Sequence, residues 1–155
     1  MSNQADIERA YTTTRGLVGS LITGQLIFAG VAWFLTRSGA RVSENIPITH
    51  PLVLAWVLVA AGSLFGALFF RRQIPGPHDR PDVLQRARER KDTPGTVQTR
   101  VITMWALLEG AGLFGLVVYF LFGRPIVLYA ALTYIAVVGL LFFPRRKWFD
   151  SLRQI

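Results

Sequence analysis

The chain has 155 residues, of which 52% are hydrophobic and 17% are charged, and its formal net charge is +8. Soluble domains carry about 25% charged residues, so this balance indicates a protein that crosses a membrane. The absence of cysteine excludes disulfides, thiolate metal sites and cysteine nucleophiles. Anionic lipid headgroups account for the positive charge of a membrane protein, and we expect no nucleic-acid partner.

Four apolar blocks account for the hydrophobic excess. Each is about 30 Å long as a helix, which is the thickness of a hydrocarbon core. A backbone in lipid must satisfy its own hydrogen bonds, which favours helices. We therefore predict an all-α fold, a single domain over residues 1–155 with four transmembrane helices. The predicted spans cover about residues 16–36, 51–70, 101–122 and 125–143, with a basic loop over residues 71–100.

The distribution of Lys and Arg predicts the orientation. The N-terminal segment, the loop over residues 71–100 and the C-terminal tail share one side and hold fourteen basic residues, against three on the other side. Positive charge marks the cytoplasmic side, so we predict a bacterial inner-membrane protein with both termini cytoplasmic. Five basic residues next to span ends are predicted to contact anionic headgroups: Arg71, Arg72, Arg145, Arg146 and Lys147.

Two further segments outside the spans carry local patterns. Residues 81–91 have an early proline and a basic end, which predicts a short helix. The tail places four apolar residues at helical spacing beside basic ones, which predicts an interfacial anchor. These residues are Trp148, Phe149, Leu152 and Ile155.

The first span resembles the third, and the second resembles the fourth. A shift of 86 positions lays Gly24 on Gly110, and a shift of 73 lays residues 66–70 on residues 139–143. The match predicts two hairpins of like orientation, related by an axis along the membrane normal. The alternative is a chance match between helices rich in phenylalanine and glycine.

Small residues recur at intervals of four along the spans. Helices in lipid associate where small residues let their backbones approach. The spacing therefore predicts tight contacts within the bundle or, alternatively, a seam for self-association. The predicted helix-packing residues are Ser20, Gly24, Gly62, Gly66, Ala106, Gly110 and Gly115.

Glu109 is the one ionisable side chain deep inside a predicted span. It lies nine residues beyond Arg100, which places it ~13 Å along the helix. A carboxylate at that depth costs on the order of 3 kcal/mol, and such side chains usually face the bundle interior. Gln25 reaches nearly the same depth in the first span, and Thr23 is the repeat-equivalent position. We predict a polar clasp in which Gln25 or Thr23 bonds to Glu109, with a proton or ion site as the alternative.

Residues 106–118, Ala-Leu-Leu-Glu-Gly-Ala-Gly-Leu-Phe-Gly-Leu-Val-Val, resemble the carboxylate-bearing helix of the ATP synthase c subunit, the proteolipid of the rotor ring. That resemblance implies that Glu109 matches the carboxylate that takes up the transported proton. Residues 72–75, Arg-Gln-Ile-Pro, are similar to the Arg-Gln-Pro turn of the same subunit. The whole layout also resembles uncharacterised small bacterial four-helix membrane proteins, a resemblance that implies no activity.

The sequence contains no glycine-rich phosphate loop, metal-ligand cluster, catalytic triad or pair of carboxylates. We therefore expect no enzymatic activity, no metal and no cofactor. The leading interpretation is a non-enzymatic accessory or structural subunit of a membrane complex, which contacts partner subunits or associates with itself. The alternatives are a c-subunit-like oligomer that handles protons or cations through Glu109, and a small pore or carrier.

Overall fold

The computed structural model describes residues 4–39, 49–74, 89 and 93–150. Within these ranges the regular structure is entirely helical. The predicted helix over residues 81–91, apart from Glu89, lies outside the described residues, as do Leu152 and Ile155 of the predicted anchor. The helices are α1 (Gln4–Arg37), α2 (Pro51–Gln73), α3 (Pro94–Phe122), α4 (Pro125–Phe142) and α5 (Lys147–Asp150).

Helices α1 to α4 are long and apolar enough to cross a membrane, counted over the described ranges and with α5 taken as a continuation of α4. This confirms the prediction of an all-α, multi-pass membrane protein. Two helices begin earlier than their predicted spans, α1 at Gln4 and α3 at Pro94. The difference arises because hydropathy identifies only the apolar segment that can lie in the hydrocarbon core. A helix can extend beyond that segment through polar residues as far as its cap.

Local chemistry sets both ends of α3. The Thr93 hydroxyl accepts a hydrogen bond from the Thr96 amide at 3.3 Å, and the Thr96 hydroxyl accepts one from the Thr93 amide at 2.8 Å. This capping box satisfies two amides at the start of the helix. At the other end, Gly123 has φ 64° and donates its amide to the Tyr119 carbonyl at 2.7 Å. This left-handed cap allows α4 to begin at Pro125.

Helix α3 is the centre of the bundle. Its neighbours are α1, α2 and α4, and each of them packs mainly against α3. Half of the most apolar stretch of α3 is buried, compared with 17% for α2. The predicted first hairpin consists of α1 and α2, but these two helices make few direct contacts and pack on α3 instead. The two-hairpin repeat therefore stays a prediction.

Two tryptophans tie α3 to its antiparallel neighbours. Trp56 of α2 donates its indole N–H to the Ala111 carbonyl at 3.0 Å, and both groups are buried. Trp105 of α3 donates to the Phe142 carbonyl at 2.9 Å, at the end of α4. The last carbonyls of a helix have no partner within that helix, so Trp105 satisfies one of them. Each indole thus replaces contact with lipid by a buried hydrogen bond.

One end of the bundle, where α1 and α3 begin and α2 and α4 end, carries most of the described basic residues; we call it the basic end. Here Trp148 and Phe149 are 2% and 0% exposed and pack with Ile7 and Ile74. The Arg71 guanidinium lies 4.4 Å from the Trp148 ring centre. The expectation that Trp148 and Phe149 anchor the chain in the membrane interface is therefore wrong, because α5 turns both rings into the protein core.

Candidate functional site

Glu109 lies on the border between the buried and exposed faces of α3. Its side chain is partly buried, with Leu108 fully buried before it and Gly110 exposed after it. Within the described residues, its carboxyl makes no hydrogen bond or ion pair. The clasp predicted for this carboxyl is thus not made by the part of the chain that the structure describes.

Gln25 does reach the Glu109 residue, but through the backbone. Its side chain is buried, at 4% exposure, and its Nε2 donates to the Glu109 main-chain carbonyl at 3.0 Å. A helical carbonyl has a second lone pair beyond the one used in its own helix, so it can accept this bond. The predicted pairing in depth is therefore present, with a backbone oxygen as the acceptor in place of the carboxylate.

Gly112 makes the Gln25 contact possible. A Cβ atom at this position would lie 2.9 Å from Gln25 Nε2 and 3.2 Å from the Ile135 side chain. A side chain here would therefore displace the Gln25 amide from its position and press on Ile135. Sequence reasoning missed Gly112, although it follows Glu109 by three residues and so lies within one helical turn of it.

The structure does not bring Thr23 to this site. The Thr23 side chain is exposed, and its hydroxyl donates to the Gly19 carbonyl of its own helix at 2.9 Å. Two positions along a helix correspond to a rotation of about 200°, so Thr23 and Gln25 point in nearly opposite directions. The repeat aligned Thr23 with Glu109 in sequence, but the two side chains do not share an interface.

The predicted helix-packing residues divide into two groups. A Cβ at Gly115 would lie 2.6 Å from the Trp56 indole, so this glycine stands at a close helix contact, and one at Gly66 would make ordinary contact with Leu107 at 3.4 Å. The others do not pack against another helix within the described bundle, contrary to the expectation of contacts inside it. A Cβ would meet nothing within 4 Å at Gly24, Gly62 or Gly110. The side chains of Ser20 and Ala106 are exposed.

The predicted headgroup residues also divide. Arg71 stacks on Trp148, and Arg146 forms an ion pair with Glu8 at 3.1 Å. These two arginines therefore contribute to the structure of the basic end. The remaining three are exposed there: Arg72, Arg145 and Lys147.

The interior contains one more polar group whose bonding is incomplete. The Tyr134 hydroxyl on α4 is buried and has no hydrogen-bond partner among the described residues. Within those residues, no three His, Cys, Asp or Glu side chains come together in an arrangement that would hold a metal ion. Near Glu109 the described bundle therefore offers a carboxyl, the Gln25 amide and the Trp56 indole, and α4 adds the Tyr134 phenol.

Comparison of the chain with protein-family models, with curated proteins and with solved structures finds no match. Among the described residues, the arrangement around Glu109 is the feature that indicates a function. Its carboxyl is partly exposed, its main-chain oxygen is bonded to Gln25, and two small exposed residues, Ala106 and Gly110, lie beside it on α3.

Proposed function

We propose that the protein is a non-enzymatic accessory or structural subunit of a membrane complex, and that it binds a transmembrane helix of another subunit through the outer face of α3. We define this outer face by Ala106, Glu109 and Gly110. The observation that carries the proposal is the Glu109 carboxyl, which has no partner within the described residues and is partly exposed where lipid would surround it.

The Glu109 carboxyl is energetically costly in hydrocarbon if it has no polar partner. Ionisable side chains near the bilayer centre are costly and almost always pair with another polar group or face the interior of a bundle. Gln25, the amide at the same depth, is bonded to the main chain. A polar side chain supplied by a neighbouring subunit would give the Glu109 carboxyl the partner that this chain does not provide.

The residues beside Glu109 favour close approach of a second helix. Ala106 and Gly110 are separated by one helical turn and are both exposed, and a Cβ at Gly110 would have open space around it. Interfaces between helices in lipid are enriched in such small residues, because van der Waals packing drives association there. The outer face thus combines a shallow notch for packing with a polar group for orientation.

The charge distribution supports the proposed orientation. The exposed Arg72, Arg145 and Lys147 lie at the basic end, together with Arg9 and Arg15 of α1. Juxtamembrane basic residues are attracted to the anionic cytoplasmic leaflet by about 1 kcal/mol each. We propose on this basis that the basic end is cytoplasmic, in a bacterial inner membrane.

The test uses two glycines that are equally open in the isolated chain. Gly110→Leu places a large side chain in the proposed interface, and Gly30→Leu places the same side chain on an open part of α1. We expect Gly110→Leu to abolish co-purification of wild-type partner subunits, or of a tagged second copy, from mild detergent. Gly30→Leu leaves that association unchanged. A wild-type protein that is monomeric and partner-free in native membranes contradicts the proposal, as does equal loss in both variants.

A second candidate function is an oligomer that handles protons or cations through Glu109. The observation that favours it is the same partly exposed carboxyl on an apolar helix, which is the arrangement that the resemblance to the rotor-ring proteolipid implies. Carbodiimide labelling of Glu109 that is slowed by sodium ions supports cation handling. Labelling that is indifferent to sodium ions, in an assembled complex, favours the accessory role.

A further inference from the structure

A groove of about 680 Å³ runs between α1 and α4 and opens sideways from the bundle. Every side chain that lines it is apolar. Ile22 and Leu26 form the α1 wall, and the opposite wall runs from Leu132 of α4 to Phe143, the residue after that helix. The two walls approach each other at Gly139, where a Cβ would lie 3.9 Å from the Ile22 side chain. Its size falls within the usual range of ligand sites, about 300–1,000 Å³.

The length of the groove corresponds to one leaflet. Leu132 and Phe143 are eleven positions apart, or about 17 Å along the helix axis. This is close to half of the ~30 Å hydrocarbon core. A transmembrane helix of a partner would need a surface that continues through both leaflets, so the groove fits a single acyl chain better than a helix.

A positive charge stands at the mouth of the groove. Arg15 lies two helical turns before Ile22, on the same stripe of α1, and its guanidinium carbon is 5.9 Å from the centre of the Phe143 ring. Arg145 is exposed two residues beyond Phe143. The acidic residue nearest the mouth on that stripe, Glu8, is already paired with Arg146. The mouth therefore has the charge that suits an anion.

We propose that this groove binds one acyl chain of an anionic phospholipid from the leaflet at the basic end, and that Arg15 contacts the lipid phosphate. The apolar walls take the chain, and the guanidinium provides a charged, directional contact with the phosphate oxygens. The site is distinct from the outer face of α3, because none of the three residues that define that face lines the groove.

The first experiment tests the charge. Lipid binding is measured by native mass spectrometry of the full chain in detergent, with added phosphatidylglycerol or phosphatidylcholine. We expect Arg15→Gln to weaken phosphatidylglycerol binding about fivefold, the effect of one basic residue near an anionic surface, and to leave phosphatidylcholine binding unchanged. The control is Arg9→Gln, because Arg9 is exposed at the same end of α1 but lies six positions before Arg15, about 120° around the helix from it. Equal losses in the two variants indicate diffuse attraction and overturn the proposal.

The second experiment tests the groove. Ala136→Phe fills it, whereas Val137→Phe adds the same ring at an exposed neighbouring position that does not line it. We expect Ala136→Phe to lose binding of phosphatidylglycerol and of phosphatidylcholine, and Val137→Phe to retain binding of each. Leu140→Trp, at a lining residue that is 78% exposed, serves as a second filling variant should Ala136→Phe fail to fold. Retention of lipid in a folded filling variant overturns the proposal, as does a second copy of the chain cross-linked into the groove.

Discussion

The two faces of α3 carry similar residues and have opposite surroundings. On the inner face, a methyl group at Gly115 would overlap the Trp56 ring, and one at Gly112 would displace the Gln25 amide. On the outer face, Gly110 has no neighbour within 4 Å. Small residues thus indicate where another helix can approach α3. Hydrogen-bond donors from neighbouring helices indicate where another helix is already packed against it.

The inner contacts share a common chemistry. Gln25 and Trp56 come from different helices, and each donates an N–H group to a main-chain carbonyl near the middle of α3. Hydrogen bonds between helices in membrane proteins average only about 0.6 kcal/mol. The bonds therefore set the register between helices, and close packing at the glycines contributes more of the stability.

The largest expected effect comes from adding one methyl group to each face of α3, which tests whether the inner face is packed and the outer face is open. Gly115→Ala places a Cβ 2.6 Å from the Trp56 indole, and we expect it to destabilise the bundle by about 1–3 kcal/mol. Gly110→Ala should be neutral or slightly stabilising, because alanine favours helix over glycine. Unfolding by denaturing detergent, followed by circular dichroism, measures both changes. Equal losses would show that both faces are packed.

The next largest effect is expected at the indole of the inner face. Trp56→Phe keeps an aromatic ring but removes the N–H group that donates to the Ala111 carbonyl. We expect a loss of about 1 kcal/mol in the free energy of unfolding. Trp33→Phe is the matched control, since Trp33 is 43% exposed at the outside of α1. A larger loss for the control would mean that exposed indoles dominate the stability.

A smaller effect is expected when the amide is removed. Gln25→Leu retains the volume of the side chain and deletes the donor to the Glu109 carbonyl. The expected loss is about 0.6 kcal/mol in the same unfolding assay. Thr23→Val should have no measurable effect, because Thr23 is exposed and bonded within its own helix. A stronger effect for Thr23→Val would place that residue in an interface.

The smallest effect on folding is expected at Glu109. Glu109→Gln leaves the main-chain carbonyl that accepts from Gln25 in place. The isolated chain should therefore unfold within about 0.5 kcal/mol of the wild type, as surface substitutions usually do. If the carboxyl pairs with a partner subunit, co-purification of that subunit decreases in the same variant. A chain that unfolds without its carboxylate would show that Glu109 stabilises the bundle itself.

The four long helices were predictable because membrane spans require little more than length and low polarity. The pairing of Gln25 with residue 109 was predictable in depth, since both positions can be counted from the flanking arginines. The acceptor atom was not, because it depends on the space that Gly112 leaves. The direction of Thr23 was not predictable, because the sequence does not show which side of α1 faces α3; helix geometry shows only that Thr23 and Gln25 point in nearly opposite directions.

The inner and outer small residues could not be told apart from the sequence. In a soluble protein the polar face of a helix identifies the side that meets water, but lipid tails and a protein interior are equally apolar. Gly110 and Gly115 therefore look alike in the sequence, although only Gly115 has a neighbouring ring in the structure. The burial of Trp148 was missed for a similar reason, since its basic neighbours are also typical of an interfacial residue.

The burial of Trp148 and Phe149 has a consequence for biosynthesis. Their rings occupy the same core cluster as Ile7, from the start of α1, and Phe149 lies edge-on to Tyr11 with 5.9 Å between ring centres. Residues near the two ends of the described chain are thus needed to complete one cluster. During translation, the start of α1 therefore lacks part of its packing until residues 148 and 149 have left the ribosome.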